Sequence, residues 1–263
     1  VGNRNVNEIT DRENYLKEQS TEIEDTCSTF SGTLPVFSLS DVAFSVKERD
    51  ILNGVSFDIL KGSRAVLLGE NGCGKTTLLR LISRLEKPTR GVILQNIDDK
   101  FGQKSKQSKK WYKKVGVVYQ NPDYQLFMPT VEKEIKFGAN SDEYADEIAE
   151  KFGIKHLYAR HPQSLSEGQK RRVSIAAVVA TNPEVLILDE PTVGQDYKGL
   201  CEMVEVLNRI HEETHNTMIT VTHDKRCAAA LCDRAVWIKD GKTYKTGDKR
   251  LIDEFFTIRQ DKS

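Results

Sequence analysis

The sequence predicts an α/β protein whose core is a mixed, largely parallel sheet, and two kinds of pattern lead to that prediction. Unbroken apolar runs of strand length, Ala65–Leu68 and Val185–Leu188, are typical of strands buried on both faces. Helical spacing of apolar residues follows each run, at Leu78–Ile82 and at Leu200–Ile210. This alternation of strand and helix is the pattern of a parallel sheet with helices packed on its faces.

Other segments predict an antiparallel β subdomain and a final hairpin. Apolar residues alternate over Val42–Val46 and over Val55–Ile59, which predicts two strands with one buried face each. The short apolar run Val92–Leu94 predicts another strand. Asp240-Gly241 follows the apolar run Ala235–Ile238 and is a dipeptide preferred in two-residue hairpin turns.

Length and composition limit the class of protein. The 263 residues can hold one large α/β domain with a subdomain inserted in it. Lysine plus arginine and aspartate plus glutamate both total 39, so the net charge gives no reason to expect direct binding of nucleic acid. The longest apolar runs are too short to span a bilayer. The five cysteines show no CxxC spacing, which predicts a reducing compartment, the cytoplasm.

The chain divides into a polar stretch and a folded domain. Residues 1–35 contain few large apolar side chains, so we expect a polar tail or an interdomain linker there. We expect the folded domain over residues 36–263, with an inserted α-helical subdomain over about 121–180, where helical patterns dominate. Residues 100–114 contain seven lysines, and we expect them on the solvent-exposed surface.

A glycine-rich loop carries the strongest chemical signal in the chain. Residues 69–76 read GENGCGKT, which fits G-x-x-x-x-G-K-[ST], and they lie between a buried-strand pattern and a helical one. Backbone N–H groups of such a loop surround phosphates, so the motif predicts a P-loop NTPase. Lys75 is expected to reach the β- and γ-phosphates, and the Thr76 hydroxyl to bind Mg²⁺. The expected nucleotide contacts are Gly69, Asn71, Gly72, Cys73, Gly74, Lys75, Thr76 and Thr77.

Two carboxylates at the end of a buried strand supply the second half of a phosphoryl-transfer site. Asp189 and Glu190 follow Val185–Leu188 directly, at the strand end where α/β sheets bind ligands. We expect Asp189 to hold the metal ion, directly or through water, and Glu190 to orient and deprotonate the attacking water. Strands often end in acidic residues without any function, so this prediction depends on the phosphate loop upstream.

Two further polar residues follow predicted strands. Gln120 follows the predicted strand Val117–Tyr119, where its amide could bond to metal-bound water and to the helical subdomain. His223 follows Met218–Val221, where a neutral imidazole could contact the γ-phosphate. Either residue alone is more often structural, and their combination with the phosphate loop favours the functional interpretation.

The segment Leu165–Arg172 reads LSEGQKRR and precedes the helical pattern Val173–Ala180. Ser, Gly and Gln before a helix direct backbone N–H groups and the positive end of the helix dipole toward an anion. The phosphate loop already has a helix of its own. This second helix start therefore predicts a further phosphate contact.

The cysteines fall into two groups. Cys73 lies in the phosphate loop near a helix start, where positive potential lowers the pKa of a thiol. A reactive thiol is one hypothesis, and a small residue that fits the loop is the alternative. Cys227 and Cys232 are explained more simply by packing in a helix than by metal binding.

Together these residues resemble the ATP-binding cassette (ABC) superfamily over about Phe37 to Thr246. The matching segments are Gly69–Thr77 as the Walker A loop, Gln120 as the Q-loop glutamine, Leu165–Gln169 as the signature, Asp189 and Glu190 as Walker B with the catalytic glutamate, Asp196 as the D-loop aspartate, and His223 as the switch histidine. The resemblance implies an ATPase that uses ATP and Mg²⁺.

The resemblance also implies which cassette supplies each residue of an ATP site and what role that residue has. In this family the signature of one cassette faces the γ-phosphate of ATP held by the Walker A loop of a second cassette, so each chain holds half of two sites. The implied catalytic residues are Lys75, Gln120, Glu190 and His223. The implied metal ligands are Thr76, Gln120 and Asp189. The implied further ATP contacts are Ser166, Gly168, Gln169 and Asp196.

The chain departs from the family pattern in three places. The signature has Glu167 where glycine is commoner, but it keeps its other phosphate contacts, so binding to the ATP of the second cassette is expected to survive. Val46 stands where an aromatic residue usually stacks on adenine, with Phe44 as a weak substitute. The D-loop has Gly194-Gln195 where Ala-Leu is commoner, so communication between the two ATP sites is expected to differ.

A narrower resemblance concerns residues 120–138. QNPDYQLF at residues 120–127 and the helical stretch after it are similar to the ATPases of energy-coupling-factor importers, which take up vitamins, thiamine precursors, cobalt or nickel. This implies a membrane subunit in contact with residues 120–137, a second cassette in a homodimer, heterodimer or tandem chain, and a place on the cytoplasmic face of the membrane. An exporter ATPase, or an ABC ATPase acting on DNA or the ribosome, is the alternative. Three segments, Leu165–Arg172, Glu190–Thr192 and Gly194–Asp196, are similar to the second halves of tandem members of this group, which would explain Val1 in place of Met and the linker-like start.

Overall fold

The computed structural model describes residues 34–47, 49–97 and 111–260, so residues 1–33 of the predicted tail and most of the lysine-rich stretch 100–114 lie outside it. The described residues contain nine strands and eight α-helices. The strands are β1 (Pro35–Val46), β2 (Arg49–Leu60), β3 (Arg64–Leu68), β4 (Arg90–Gln95), β5 (Val115–Val118), β6 (Val185–Asp189), β7 (Thr217–Val221), β8 (Arg234–Lys239) and β9 (Lys242–Asp248). The helices are α1 (Lys75–Ile82), α2 (Trp111–Lys114), α3 (Val131–Lys136), α4 (Asp142–Lys151), α5 (Glu167–Val179), α6 (Tyr197–Thr214), α7 (Lys225–Leu231) and α8 (Lys249–Gln260).

Six strands form the core sheet, in the order β5-β6-β7-β3-β8-β9. The first five run parallel, and β9 returns antiparallel to β8. All residues of β6 and β7 are buried, as expected for central strands of a parallel sheet. The predicted hairpin turn has positive φ at Asp240 (50°) and Gly241 (71°), which a type I′ turn requires. The prediction of a mixed, largely parallel α/β sheet is confirmed.

Parallel pairing brings the carboxyl ends of several strands to one edge of the core sheet. Leu67 of β3 pairs with Val221 of β7, which also pairs with Asp189 of β6, so these residues form one row across the sheet. The phosphate loop after β3, the acidic pair at the end of β6 and His223 after β7 therefore leave the sheet at the same edge. Strand β5 pairs with the other side of β6, so the segment after β5 joins this edge.

A second, antiparallel sheet contains β2, β1 and β4 in that order. The alternating apolar residues of β2 are buried as predicted. The alternation predicted over Val42–Val46 is wrong, because Val46 is 45% exposed. A β-bulge at Asp41, whose φ is 47°, precedes this stretch, and the register with β2 shifts again between Val42 and Ala43 and between Phe44 and Ser45. These irregularities change which side chains of β1 face the core.

A helical subdomain lies between β5 and β6. It contains helices α3, α4 and α5 and short 3₁₀ turns at Pro122–Tyr124, Lys155–Leu157 and Pro162–Ser164. These elements fall within the segment of about 121–180 where the sequence patterns indicate helices.

Helix α5 begins earlier than the periodic pattern indicates. Its first residue is Glu167 rather than Val173, because Ser166 and Gln169 form a capping box that starts the helix. The charged residues of its first two turns break the apolar periodicity in the sequence, although Arg171 is only 2% exposed. Periodicity alone therefore predicts too short a helix.

Two apolar clusters cover the two faces of the core sheet. One contains Leu68 and Leu188 together with the helical subdomain and helices α6 to α8. The other contains Leu67 and Ile187 together with the antiparallel sheet and helix α1. Alternate residues of the same strands supply the two clusters, as the two-residue period of a strand requires. The edge that carries the polar residues lies outside both clusters.

We expect Gly91→Ala to destabilise the fold by at least twice as much as Gly153→Ala. Both glycines have left-handed φ, 83° and 65°, which costs a residue with a Cβ about 1–2 kcal/mol. At Gly91 a Cβ would also lie 2.2 Å from the carbonyl oxygen of Asp41, whereas nothing lies within 4 Å at Gly153. Urea unfolding of both variants measures the difference. Equal losses would show that the close approach of β4 to the bulge does not constrain the sheet.

Candidate functional site

The phosphate loop between β3 and α1 closes around a lysine side chain. The Nζ of Lys75 donates to the carbonyl oxygens of Gly69 (2.8 Å) and Glu70 (2.9 Å), and the side chain is buried. Gly74 has a φ of 101°, and a Cβ there would lie 2.5 Å from the Cδ2 of Leu52, so only glycine fits. The loop therefore holds a positive charge where the motif requires one.

Helix α1 starts directly after this loop. Its first residue is Lys75, and its N-cap, Gly74, makes no side-chain cap. The backbone N–H groups of an uncapped first turn suit an anionic ligand. Thr76 in this turn and Asn71 in the loop are exposed, and Thr77 is half-buried.

Cys73 does not have the features of a reactive thiol. Burial raises the pKa of its thiol, and the opposing effect of Lys75, whose Nζ lies 3.9 Å from Sγ, is smaller. The hypothesis of a lowered pKa is therefore wrong. Sγ occupies space that a Cβ on Gly69 would need, so Cys73 fills the loop. Cys227 and Cys232 are buried, which fits the packing interpretation.

Asp189 and Glu190 are buried at the end of β6, 6% and 5% exposed. Burial raises the pKa of both carboxyl groups, and the charges of Arg171 and Lys75 oppose this at Asp189. The φ of Glu190 is 52°, a strained conformation that persists only where its surroundings hold it. Its N–H donates to the carbonyl of Val221 at 2.8 Å, so the pairing of β6 with β7 holds this backbone.

His223 lies beside Glu190. Its backbone N–H donates to Oε2 of Glu190 at 3.3 Å, and its Nε2 lies 3.3 Å from Oε1 without the alignment of a hydrogen bond. Its Nδ1 lies 3.3 Å from Nη1 of Arg259 in helix α8. Burial, followed by the charges of Lys75 and Arg259, lowers the pKa of the imidazole. The ring is therefore neutral at pH 7.

Gln120 follows β5, which ends at Val118 rather than at Tyr119. Its side chain is exposed. The carbonyl oxygens of Tyr119 and Gln120 accept hydrogen bonds from the guanidinium of Arg171 in helix α5. Because β5 pairs with β6, this arrangement places Gln120 at the edge where Asp189 ends its strand.

Ser166 is the N-cap of helix α5. Its Oγ accepts from the N–H of Gln169 at 3.4 Å, and Oε1 of Gln169 accepts from the N–H of Ser166 at 3.1 Å. The carboxamide oxygen of Gln169 therefore forms part of the N-terminal cap of α5. A hydroxyl that accepts one hydrogen bond still has its own proton to donate, so Ser166 can bind a phosphate.

The D-loop is tied to the signature within one chain. Asp196 caps helix α6, with Oδ1 accepting from the N–H of Gly199 at 2.7 Å. Its neighbour Gln195 donates from Nε2 to the carbonyl of Gly168 at 2.9 Å. A Cβ on Gly168 would lie 3.1 Å from that nitrogen, so the glycine makes room for the glutamine. The commoner leucine at position 195 could not form this bond.

Two basic residues at this site were not predicted from the sequence. In the sequence Arg171 is one of two successive arginines in LSEGQKRR. The sequence does not indicate that Arg171 is buried while Arg172 is half-buried. Arg259 contacts His223 across 36 residues of sequence. Only contacts in three dimensions identify such residues.

The residues at this edge suit a magnesium-bound nucleotide. No cluster of three or more His, Cys, Asp or Glu within the described ranges could hold a metal ion alone. Mg²⁺ that binds with a nucleotide needs no such cluster, because phosphate oxygens and water supply most of its ligands. Oε1 of Glu190 is buried without a hydrogen-bond partner, and burial raises the pKa of Asp189. A bound cation would offset the cost of burying these carboxylates.

The sequence pattern of the ABC transporter family matches residues 52–193 of this chain. The chain belongs to this family. It is 39% identical over 213 residues to the energy-coupling factor transporter ATP-binding protein EcfA2 of Bacillus subtilis, and the match covers 77% of each chain. The resemblance to energy-coupling-factor ATPases is therefore confirmed.

Solved structures of ABC proteins share the fold. The structure of cbiO1 from Clostridium perfringens, described as part of the ABC transporter complex cbiONQ, matches with a TM-score of 0.73 and 32% identity over 86% of this chain and 94% of that one. A dimeric structure of the ATP-binding cassette MJ0796 in a post-hydrolysis state, bound to ADP and Pi, matches with a TM-score of 0.70 and 27% identity over 81% and 99%. The predicted P-loop NTPase fold is confirmed, and this ABC protein is an ATPase.

We expect Glu190→Gln to raise the melting temperature of this ABC ATPase, without nucleotide, at pH 8. Burial raises the pKa of Glu190 in the folded state, so the side chain costs stability as the pH rises from the ordinary value of 4.5, and the full cost is present above the raised value. The gain should shrink as the pH falls toward the ordinary value of 4.5, where the native side chain is also neutral. Each kcal/mol corresponds to about 2–4 °C in a domain of this size.

Differential scanning fluorimetry across this pH range makes the measurement. Glu212→Gln is the control, because Glu212 is exposed and should leave the melting temperature unchanged at every pH. A gain of the same size at pH 8 and pH 4.5 would contradict the electrostatic explanation.

Proposed function

We propose that this chain is the ATP-binding and ATP-hydrolysing subunit that powers a membrane importer of the energy-coupling-factor type. The observation that carries the proposal is the meeting of the phosphate loop, the acidic pair and His223 at one sheet edge, where His223 contacts Glu190 at 3.3 Å. The names of the relatives, energy-coupling factor transporter ATP-binding proteins, support the importer class.

In the proposed reaction Lys75 exchanges its two carbonyl partners for oxygens of the β- and γ-phosphates. Glu190 orients a water molecule and takes its proton as the water oxygen attacks the γ-phosphorus. The bond from the γ-phosphorus to the bridging oxygen breaks, and ADP and phosphate leave. Burial of Glu190 supports this role, because a raised pKa makes a carboxylate a stronger base.

The contact with Arg259 fixes the tautomer of His223. A guanidinium only donates hydrogen bonds, so Nδ1 of His223 accepts and its proton is carried by Nε2. Nε2 is also the nitrogen that lies beside Glu190. We assign to this N–H the task of donating to the γ-phosphate while Glu190 holds the water.

Magnesium belongs to the same proposal. Bound Mg²⁺ supplies positive charge that offsets the charge of the phosphate oxygens. Thr76, Asp189 and Gln120 would hold it, since they supply the hydroxyl, carboxylate and amide oxygens that this ion prefers. Asp189 is the buried member of the set.

A second cassette completes each ATP site in this proposal. Ser166 and Gly168, at the start of helix α5, would meet the γ-phosphate of ATP bound to the phosphate loop of the second cassette, with Gln169 and Asp196 beside them. The uncommitted hydroxyl proton of Ser166 and the first-turn N–H groups of α5 support this assignment. The dimeric form of the relative MJ0796 supports the pairing of cassettes.

The membrane subunit would contact residues 120–137. Three aromatic side chains of this segment, Tyr124, Phe127 and Phe137, are 79%, 66% and 57% exposed, and the rings of Phe127 and Phe137 pack edge to face at 5.3 Å. Buried Glu134 holds the loop by accepting from the N–H groups of Phe127 (2.9 Å) and Met128 (2.7 Å). Grouped exposed aromatic side chains are typical of a protein contact.

The same contact would place the chain at the membrane. No helix in the described part of the chain is long and apolar enough to cross a bilayer. We propose that contact with the membrane subunit attaches the chain to the cytoplasmic face of the membrane.

Glu190→Gln is expected to keep ATP binding and to lower hydrolysis by at least about 100-fold, because a positioned general base contributes about 10²–10⁴. Phosphate release and binding of a fluorescent ATP analogue measure the two properties separately. Lys75→Ala is the comparison and should lose binding as well. Hydrolysis at the normal rate by Glu190→Gln would exclude Glu190 as the base.

Phe127→Ala combined with Phe137→Ala is expected to abolish co-purification of the membrane subunit from native membranes. The double variant removes the exposed aromatic pair, whereas Tyr112→Ala removes a ring that is equally exposed (56%) outside residues 120–137. Mass spectrometry of the purified material identifies the partner, and thermal unfolding checks the fold. Retention of the subunit by the double variant would contradict the proposed contact.

A further inference from the structure

The segment that follows β5 is held by side chains of the helical subdomain. Tyr119 donates its N–H to Oε1 of Gln125 at 2.9 Å, and Nε2 of Gln125 donates to the carbonyl of Val117 at 2.7 Å. Arg171 donates from Nη1 to the carbonyl of Tyr119 at 2.7 Å and from Nη2 to the carbonyl of Gln120. Two side chains thus bind the backbone at the end of β5 and in the two residues that follow it.

Arg171 is buried at a cost to stability. It is 2% exposed, and its Nε has no hydrogen-bond partner. A buried guanidinium with an unused donor is less favourable than an apolar side chain of the same shape. The hydrogen bonds from Nη1 and Nη2 of Arg171 to two successive carbonyls therefore explain why an arginine is buried at this position.

We propose that Arg171 is a positioning residue that fixes the backbone of Gln120 and so delivers the Gln120 side chain to the metal end of the nucleotide site. The inference rests on the proposed function, because it takes Gln120 to be a metal ligand. Arg171 acts through Gln120 and touches neither nucleotide nor metal.

Helix α5 also contacts the segment after β5 at a second point. Nζ of Lys170 lies 2.8 Å from Oδ1 of Asp123 and 3.2 Å from Oε1 of Gln163. The helix therefore holds residues 119–123 at both ends. Because α5 also begins at the signature, a displacement of the signature helix moves Gln120 with it.

A charge effect on Asp189 is the rival explanation of Arg171. The carboxylates of Asp189, Glu167 and Glu190 all act on the guanidinium. Lysine at position 171 would keep the positive charge but lose the planar fork, which is what allows one side chain to hold two carbonyls. Arg171→Lys therefore separates positioning from charge.

The experiment measures how much Mg²⁺ strengthens nucleotide binding, in a Glu190→Gln background without hydrolysis. The affinity for a fluorescent ATP analogue is determined with saturating Mg²⁺ and with EDTA, and the ratio of the two reports the metal contribution. Arg171→Lys should lower this ratio by about 10-fold, as residues that orient a metal ligand do, and leave the affinity in EDTA unchanged. Gln120→Ala should lower the ratio at least as much.

Arg172→Lys is the matched control, since Arg172 is the next residue of the same helix and Nη2 bonds to Oε2 of Glu202 at 2.8 Å instead. It should leave the ratio unchanged. Adding Arg171→Lys to Gln120→Ala should produce no further loss, because both changes remove the same interaction. Hydrogen exchange of residues 119–126 should rise in Arg171→Lys and stay normal in Arg172→Lys.

Each other outcome overturns the inference. An unchanged ratio in Arg171→Lys favours the charge effect, a further loss in the double variant shows that Arg171 does not act through Gln120, and an equal loss in Arg172→Lys shows a general effect of the helix. Absence of nucleotide binding in the Glu190→Gln parent would instead reject the proposed function. Normal binding in that parent, together with an unchanged ratio in Arg171→Lys, would reject only this inference.

Discussion

Parallel pairing of β3, β7 and β6 is the constraint on which the site depends. Leu67, Val221 and Asp189 lie in one row, so three loops that are far apart in sequence leave the sheet together. A slip of one residue would turn every side chain of a strand to the opposite face. Since each face of this sheet has its own apolar cluster, such a slip would move the residues that fit one cluster into the other, where their shapes do not match. Hydrophobic packing thereby fixes the register that places the phosphate loop, the acidic pair and His223.

The site is less stable than the core that positions it. Burial raises the pKa of both Asp189 and Glu190, and Glu190 also has a strained backbone with φ of 52°. These features oppose folding in the nucleotide-free protein and suit a site that receives a cation and a polyanion. The positive charge of Lys75, held by two carbonyls of its loop, offsets part of this cost. The apolar core therefore supplies the stability that offsets the cost of the site.

Features carried by adjacent residues could be predicted from the sequence, and features carried by distant contacts could not. The phosphate loop, the buried run of β6 and the Asp240-Gly241 turn are local, because their chemistry is complete within a few residues. The bulge at Asp41 escaped prediction, since one extra residue leaves the apolar composition of β1 unchanged. The raised pKa of Cys73 escaped as well, because burial outweighs the nearby positive charge.

Charged residues that turn out to be buried caused the other errors. The run of basic residues at 170–172 hid the first turns of helix α5, and the contact between Arg171 and Tyr119 spans 52 residues. The bond from Gln195 to Gly168 is similar: the departure from the family pattern is visible in the sequence, but its partner is not. The role of a polar residue in this fold depends on which backbone groups lack a partner nearby, and these appear only once the sheet has been assembled.

The helical subdomain is attached to the core by two kinds of contact with different consequences. A continuous apolar cluster joins it to the sheet and sets its position without specifying any single atom. Partly exposed ion pairs such as Arg172 with Glu202 add little, about 0.2–1 kcal/mol each. Arg171 and Gln195 differ from both kinds of contact. Each donates a hydrogen bond to the backbone carbonyl of one residue, Gln120 or Gly168, that is proposed to bind metal or nucleotide. A shift of the subdomain that the apolar cluster tolerates would still move these carbonyls. Such directed hydrogen bonds can therefore convert a movement of the subdomain into a change at the site.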